Sequence, residues 1–443
     1  MMEEKIDAQE LAGNLLVAQS GGPTVVINSS LAGIVQEALN YECIGEVYGA
    51  LNGLHGILSG QLVDLADESQ HVIRGLRHTP GAALGSFRRR METGDLEKMF
   101  VAFEQMDIRY LFYIGGNGSQ AAIRAIHNHA QKIGYEIRAI GVPKTIDNDL
   151  VITDHSPGYG SVVKYVATTV REIAIDDQSM GDYNLVSIIE VMGRDAGWIA
   201  AGSMLARTSG TPFDAPHLIY IPERPFIDQE FLASVKNVLT QSRYCLVVAS
   251  EGIRNSDGNY VQVSGIKDPL GRTELGGAAE YLQGLVEKNL KIKTRTTKLG
   301  IAQRAAAHCA SSRDNDEAYE CGVRAVRAAI GGESGKMVTI VRESDTPYQV
   351  SYGLSALDEI AGKVKEFPQA WIDESGAMIS NNFLRYVSPL IQGEVEVPHK
   401  GGLPEYVHLF GAEKFSKKVA TGMGCSTGPS NLTSRRNHPL IRE

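Results

Sequence analysis

Cysteine is scarce in this chain: five residues in 443, at Cys43, Cys245, Cys309, Cys321 and Cys425. No two of them stand in a C-x-x-C spacing, so neither a zinc site nor a disulfide framework can be read, and a reducing compartment is indicated. Long apolar runs are missing as well. No stretch reaches the roughly 20 residues that cross a bilayer, and no membrane partner is expected. Basic residues are outnumbered, 43 Lys and Arg against 52 Asp and Glu, for a net charge of −9. Bulk electrostatics of that sign exclude nucleic acid as the expected partner. The opening residues, MMEEKIDAQE, are polar and acidic, unlike a signal or transit peptide. The expected location is cytoplasmic. Two phosphate-binding signatures are absent too: there is no G-x-x-x-x-G-K-[ST], and no G-x-G-x-x-G follows the first predicted strand.

Glycine, by contrast, is abundant, with 47 residues, several of them clustered after apolar runs. That pattern predicts an α/β protein whose strands run into glycine-rich turns. Leu15 to Ala18 reads as a strand that leads into Gln19-Ser-Gly21-Gly22-Pro23, and helical spacing follows from Val26 to Leu39. Tyr110 to Ile114 leads into Gly115-Gly116-Asn117-Gly118-Ser119 and another helix. Ile137 to Val142 leads into Pro143-Lys144-Thr145-Ile146-Asp147-Asn148-Asp149. Three loops at the carboxyl ends of three strands occupy the ligand position of an open α/β sheet. The glycines let backbone N–H groups approach an anion, and Ser119 can cap the helix or contact phosphate. Val186 to Val191, Leu218 to Ile221 and Leu246 to Ala249 read as strands of a second parallel sheet.

The most informative segment is Pro143–Asp149. If it stays extended, Asp147 and Asp149 point the same way. One carboxylate can then take a proton from an attacking hydroxyl while the other faces a metal on phosphate. The bland alternative is a simple turn, since Asp-Asn-Asp is good turn chemistry. Basic groups that suit phosphoryl oxygens follow Gly85 (Arg88, Arg89, Arg90) and the strand ending at Val191 (Arg194), and Arg295 and Arg304 flank Leu299-Gly300.

Together these motifs resemble the phosphofructokinase family, which holds both ATP-dependent and pyrophosphate-dependent enzymes. The matching segments are Gln19–Thr24, Leu84–Arg88, Gly115–Ser119, Pro143–Asp149, Glu190–Arg194, Ser250–Gly252 and Leu299–Arg304, in the family's order. The resemblance implies two Rossmann-like α/β domains with mainly parallel sheets, an active site in the cleft between them, and a C-terminal extension. The expected division is 1–160 for donor phosphate, completed by part of 305–345, then 161–305 for fructose 6-phosphate, with 346–443 packing on both. The implied reaction is magnesium-dependent phosphoryl transfer to the C1 hydroxyl of fructose 6-phosphate. Asp147 is then the general base and Asp149 the metal residue, with Asn117 beside it. Thr145 contacts the sugar or the moving phosphoryl group, Lys144 can hold a terminal phosphate, and Arg194 steadies the transition-state charge. Met192, Gly193, Glu251, Arg295 and Arg304 match sugar-phosphate contacts. Gly21, Gly22, Arg88, Gly116, Asn117, Gly118 and Ser119 match donor-phosphate contacts. A homo-oligomer, dimer or tetramer, is also implied, because relatives share the sugar site between subunits.

The donor divides the motifs. Pyrophosphate enzymes usually carry Asp where this chain has Gly118, a carboxylate that excludes the nucleotide α-phosphate. They carry lysine where this chain has Lys144. Like-charge exclusion is the sharper argument, so the sequence alone favours ATP, with pyrophosphate as the alternative. Asn117 replaces the family's frequent Asp, and Leu185 and Ile301 also depart from it. These departures keep a non-catalytic regulatory subunit as a lesser alternative. A lipid or NAD kinase shares the glycine loop but not Pro143–Asp149 or Met192–Arg194.

Overall fold

The computed structural model describes residues 11–86, 91–180, 185–208, 211, 214–267, 271, 273–373 and 376–410. The chain first lays down β1 (Gly13–Gln19), β2 (Ile44–Ala50), β3 (Leu62–Asp64), β4 (Ile108–Gly115) and β5 (Arg138–Pro143). It then builds β6 (Val186–Val191), β7 (Leu218–Tyr220), β8 (Cys245–Ser250), a small hairpin of β9 (Val263–Lys267) and β10 (Thr273–Leu275), and β11 (Thr294–Lys298). A long hairpin, β12 (Lys336–Asp345) and β13 (Tyr348–Ala356), returns to the first sheet. The sheet orders are β13-β12-β5-β4-β1-β2-β3 and β11-β6-β8-β7. In the first, only the edge strands β3 and β13 run antiparallel to their neighbours. The second is parallel throughout. Both are the α/β architecture predicted from the glycine loops.

Sequence explains the centre of each sheet. Leu15–Ala18, Tyr110–Ile114 and Ala139–Val142 are buried on both faces, which requires a continuous apolar run rather than an alternating one. Helices Ile27–Ala38 and Ser312–Ile330 cover one face of the first sheet together. They cross so closely that a Cβ on Gly33 would stand 2.2 Å from the Tyr319 carbonyl oxygen, and one on Gly322 would stand 2.2 Å from that of Ser30. The two glycines thus set the helix spacing. Because β1 sends the chain to β2 on one side and β4 lies on the other, the sheet has a switch point beside β1, where the carboxyl ends open a crevice.

The chain beyond residue 345 was expected as an extension packing on both domains, and the structure runs it against both layers. β13 pairs with β12 at the edge of the first sheet. Phe367, Ile379, Phe383, Val387 and Leu390 then enter the same apolar cluster as Val163, Trp198 and Ile219 of the second. Trp198, Phe367, Trp371 and Phe383 pack edge-on or tilted, with ring centroids 5.0–6.0 Å apart. The glycine-rich tail Thr421–Ser430 lies outside the described residues. No helix among the described residues is long and apolar enough to cross a membrane.

One buried charge network ties these layers. His155 is enclosed, with Nδ1 2.7 Å from Asp154 and Nε2 2.6 Å from Glu317. Asp154 also accepts from Arg342, and Glu317 from the Tyr348 hydroxyl. Burial works against an imidazolium, but Glu317 and Asp154 outweigh it and raise His155 to about 9. A raised pKa stabilises the fold fully below the unfolded value near 6.5, and that stability fades as pH climbs through about 9. We therefore expect the wild type to lose on the order of 3 kcal/mol relative to His155→Gln between pH 6.5 and 9. Paired thermal melts across that window would show it; parallel curves would disprove the imidazolium.

Candidate active site

The three loops beyond β1, β4 and β5 meet the ends of β6 and β8 in a cleft of about 700 Å³. On the first side, Gln19 pins the opening loop: its Oε1 accepts from Leu84 N–H at 3.0 Å, and its amide donates to Asn28 at 3.0 Å. Lys144 reaches across beneath this loop, its Nζ donating to the Gly22 carbonyl at 2.6 Å, and it is buried. Its ammonium would stand only 3.2 Å from a Cβ on Gly21. Gln120 donates to the carbonyls of Gly115 and Val142, locking the start of helix Asn117–Ile133 onto β4 and β5. Gly118 lies at that start, and a Cβ there would meet nothing within 4 Å.

The carboxylate loop is bent, not extended as the pairing argument assumed. Asn148 takes a left-handed φ of 52°, and its side chain holds the bend. Asn148 Oδ1 accepts from Ser156 N–H at 3.0 Å and from Lys365 Nζ at 3.3 Å, and its amide donates to the Tyr386 hydroxyl at 3.1 Å. The turn reading was therefore right about the backbone. Yet both Asp147 and Asp149 line the cleft, so the turn serves the pairing. Thr145 joins them, its hydroxyl accepting from Asp147 N–H at 3.1 Å and bonding to Asp149.

Charge accumulates here. Burial, then Asp149 and Glu251, push Asp147 up to about 7, with Lys144 pulling the other way. Burial raises Asp149 as well, against its Thr145 hydrogen bond and the nearby Lys365 and Lys144. Glu251 is raised by burial and by Glu190, against the Gly193 N–H, Arg194 and Arg304. Such a set of crowded acids suits a proton acceptor and a cation. Asp149 Oδ1 is buried with no hydrogen-bond partner among the described residues, a vacant acceptor of the kind magnesium takes. No group of three His, Cys, Asp or Glu side chains fit for a metal occurs among them, so phosphate oxygens and water would supply the other ligands.

Most of the predicted residues converge. Gly21, Gly22, Gly116, Asn117, Gly118, Ser119, Lys144, Thr145, Asp147, Asp149, Met192, Arg194, Glu251 and Arg304 all line the cleft. Arg194 is anchored by donating to the Thr273 carbonyl at 2.8 Å. Gly193 sits behind the wall, its carbonyl accepting from Ser250 and its N–H holding Glu251. Arg295 does not join them. It is exposed on the edge strand β11, close enough to Asp177 to oppose the rise that burial gives that carboxyl, and the expected sugar contact is absent from the cleft of one chain. Arg88 lies outside the described residues.

Asn117 departs furthest from expectation as a metal residue. Its Oδ1 accepts from Gly362 N–H at 2.7 Å and its amide donates to the Lys363 carbonyl, so both ends of the side chain hold C-terminal backbone. Sequence reading missed Asp195, Lys365 and Tyr386. Asp195 lines the cleft next to Arg194 and was within reach of the motif. The other two lie more than 200 residues beyond Asn148, with no local signal.

The family model for phosphofructokinase matches residues 14–329. The chain belongs to the phosphofructokinase family. It is accordingly a phosphotransferase. It is 41% identical to a pyrophosphate–fructose 6-phosphate 1-phosphotransferase of Halomonas elongata, over 89% of this chain and 96% of that one. The solved pyrophosphate-dependent phosphofructokinase of Marinobacter aquaeolei superposes with a TM-score of 0.81 at 40% identity, covering 89% of this chain and 95% of that one. At lower similarity, the ATP-dependent 6-phosphofructokinase 3 of Streptomyces coelicolor is 31% identical over 74% of this chain and 91% of its own.

Removing the Asp147 carboxylate while keeping its shape tests the site. Asp147→Asn is expected to lower phosphotransferase kcat by about 10²–10⁴ with KM values within a few-fold, read by steady-state kinetics. An unchanged kcat would remove Asp147 from the chemistry.

Proposed function

We propose that this phosphofructokinase transfers a phosphoryl group from pyrophosphate to the C1 hydroxyl of fructose 6-phosphate, giving fructose 1,6-bisphosphate and phosphate. The observation that carries the acceptor and reaction is the buried Asp147–Asp149 pair opposite Arg194 and Glu251. Identity of 40–41% to pyrophosphate enzymes over about nine-tenths of the chain supports the donor, as does the buried Lys144 beneath the Gly21–Gly22 loop. This replaces the preference for ATP drawn from Gly118 alone.

In this reading Asp147 accepts the C1 hydroxyl proton as the oxygen attacks the terminal phosphorus. A carboxyl near pKa 7 is well matched to that task at neutral pH. Lys144, the backbone N–H groups of Gly21, Gly22 and Gly116, and the Ser119 hydroxyl bind the donor phosphates, and Arg194 balances the charge that spreads over the transferred group. Thr145 aligns that group. Met192, Gly193, Glu251 and Arg304 orient the sugar phosphate. Asp149, whose buried Oδ1 has no hydrogen-bond partner among the described residues, would hold magnesium, which would neutralise phosphate charge. Arg295, exposed on β11, fits a contact offered to a neighbouring copy in a homo-oligomer, dimer or tetramer.

ATP is the second reading, and one observation favours it: the open space at Gly118 leaves room for an α-phosphate. The rate of fructose 1,6-bisphosphate formation, with each donor in turn, decides. Pyrophosphate is expected to exceed ATP at least tenfold in kcat/KM. Gly118→Asp is expected to retain pyrophosphate turnover and abolish whatever ATP turnover exists, because it crowds a carboxylate against the α-phosphate. A faster rate with ATP, lost in Gly118→Asp, would establish the ATP reading instead.

A further inference from the structure

A short piece of the C-terminal chain, residues 362–367, contacts the donor-loop helix, the carboxylate loop and, through Glu223, the segment just after Arg194. At its start, Gly362 N–H and the Lys363 carbonyl are both held by the side chain of Asn117, the first residue of the donor-loop helix. Two residues on, Lys365 N–H donates to the Asp149 carbonyl at 2.8 Å. The Lys365 ammonium donates to Asn148 Oδ1 at 3.3 Å and to the carbonyls of Thr153 and Asp154 at 3.2 and 2.8 Å. It also lies 5.1 Å from the Trp198 ring. The Lys365 carbonyl accepts from Trp198 Nε1 at 3.0 Å, on the acceptor side of the cleft. Finally, Phe367 N–H donates to Glu223 Oε1 at 2.9 Å, which also accepts from Gly197 N–H at 2.9 Å, three residues after Arg194.

We propose that residues 362–367 form a strap that fixes the donor loop, the carboxylate loop and the acceptor-side Arg194 loop relative to one another, with Asn117 and Lys365 as its positioning residues. Phosphoryl transfer between two substrates held by different layers demands such alignment, since a displacement of about 1 Å costs on the order of 10² in rate. The strap explains the identity of residue 117. An amide supplies one acceptor to Gly362 N–H and one donor to the Lys363 carbonyl. The isosteric carboxylate would accept from the first and face the second oxygen to oxygen. Asn117 is thus suited to the strap in a way that Asp is not. Lys365 extends the same hold to Asn148, whose left-handed backbone sits between the two catalytic carboxylates.

The kinetic part of this inference rests on the phosphoryl-transfer reading; its exchange part does not. Three variants of the full chain, Asn117→Asp, Asn117→Ala and Lys365→Met, are compared by kinetics with the better donor and by amide hydrogen exchange. All three are expected to lower kcat at least tenfold with the fructose 6-phosphate KM within twofold. Exchange is expected to quicken at least tenfold both in 361–367 and in 144–149, while the rest of the core keeps its protection. An Asn117→Asp variant that keeps its kcat and needs less magnesium would make residue 117 a metal residue and overturn the proposal. Faster exchange confined to 361–367 with kcat intact would also overturn it, leaving a surface tether. Should Asn117 variants fail to fold, Lys365→Met alone decides, because it leaves the Asn117 anchor in place. Coupled exchange in a chain that proves inactive with either donor would instead uphold the strap and refute the function.

Discussion

Two carboxylates within three residues repel each other, and burial magnifies the repulsion; Asp147 and Asp149 are nonetheless held side by side at the floor of the cleft. What holds them is Asn148, bent into a left-handed turn and tied by Ser156, Tyr386 and Lys365. Tyr386 and Lys365 belong to the C-terminal chain, which joins the second layer's core through aromatic residues around Trp198 and through Ile379, Val387 and Leu390. The long return of the chain, the aromatic cluster and the His155 network therefore serve one local arrangement. Without it the crowded acids would separate, and the proposed base and cation position would be lost together.

The inner half of this arrangement was legible in the sequence. Apolar runs that are buried on both faces cannot alternate, so Leu15–Ala18, Tyr110–Ile114 and Ile137–Val142 announce themselves as central strands, and the loops after them follow from glycine and from chain direction. The outer half was not legible, because it consists of contacts between residues far apart in sequence. Asn117 looked like a weakened metal residue until its partners, Gly362 and Lys363, were placed beside it. Asn148 was hidden for another reason: nothing in Asp-Asn-Asp says whether the middle residue will be extended or left-handed, and the choice is made by Lys365 and Tyr386. Arg295 was matched to a sugar-phosphate contact, yet β11 is an edge strand and the side chain is exposed.

The donor question turns on a balance between local and global signals. A single glycine at position 118 removes a charge and opens space, which is a strong local statement. Similarity along nine-tenths of the chain, together with Lys144 set under the phosphate loop, speaks for the smaller donor. Open space permits a nucleotide without attracting one, whereas a buried ammonium attracts a terminal phosphate. The second effect would supply binding energy, and it is the reason pyrophosphate is the donor proposed here.

The central claim is that Asp147, held by this turn, receives the proton of the attacking hydroxyl. A crystal structure of the protein with fructose 6-phosphate tests it most directly. The account predicts the C1 hydroxyl oxygen within about 3 Å of an Asp147 carboxylate oxygen, with the sugar against Met192 and Glu251. A sugar bound in the same cleft with its C1 hydroxyl turned away from Asp147 would contradict it.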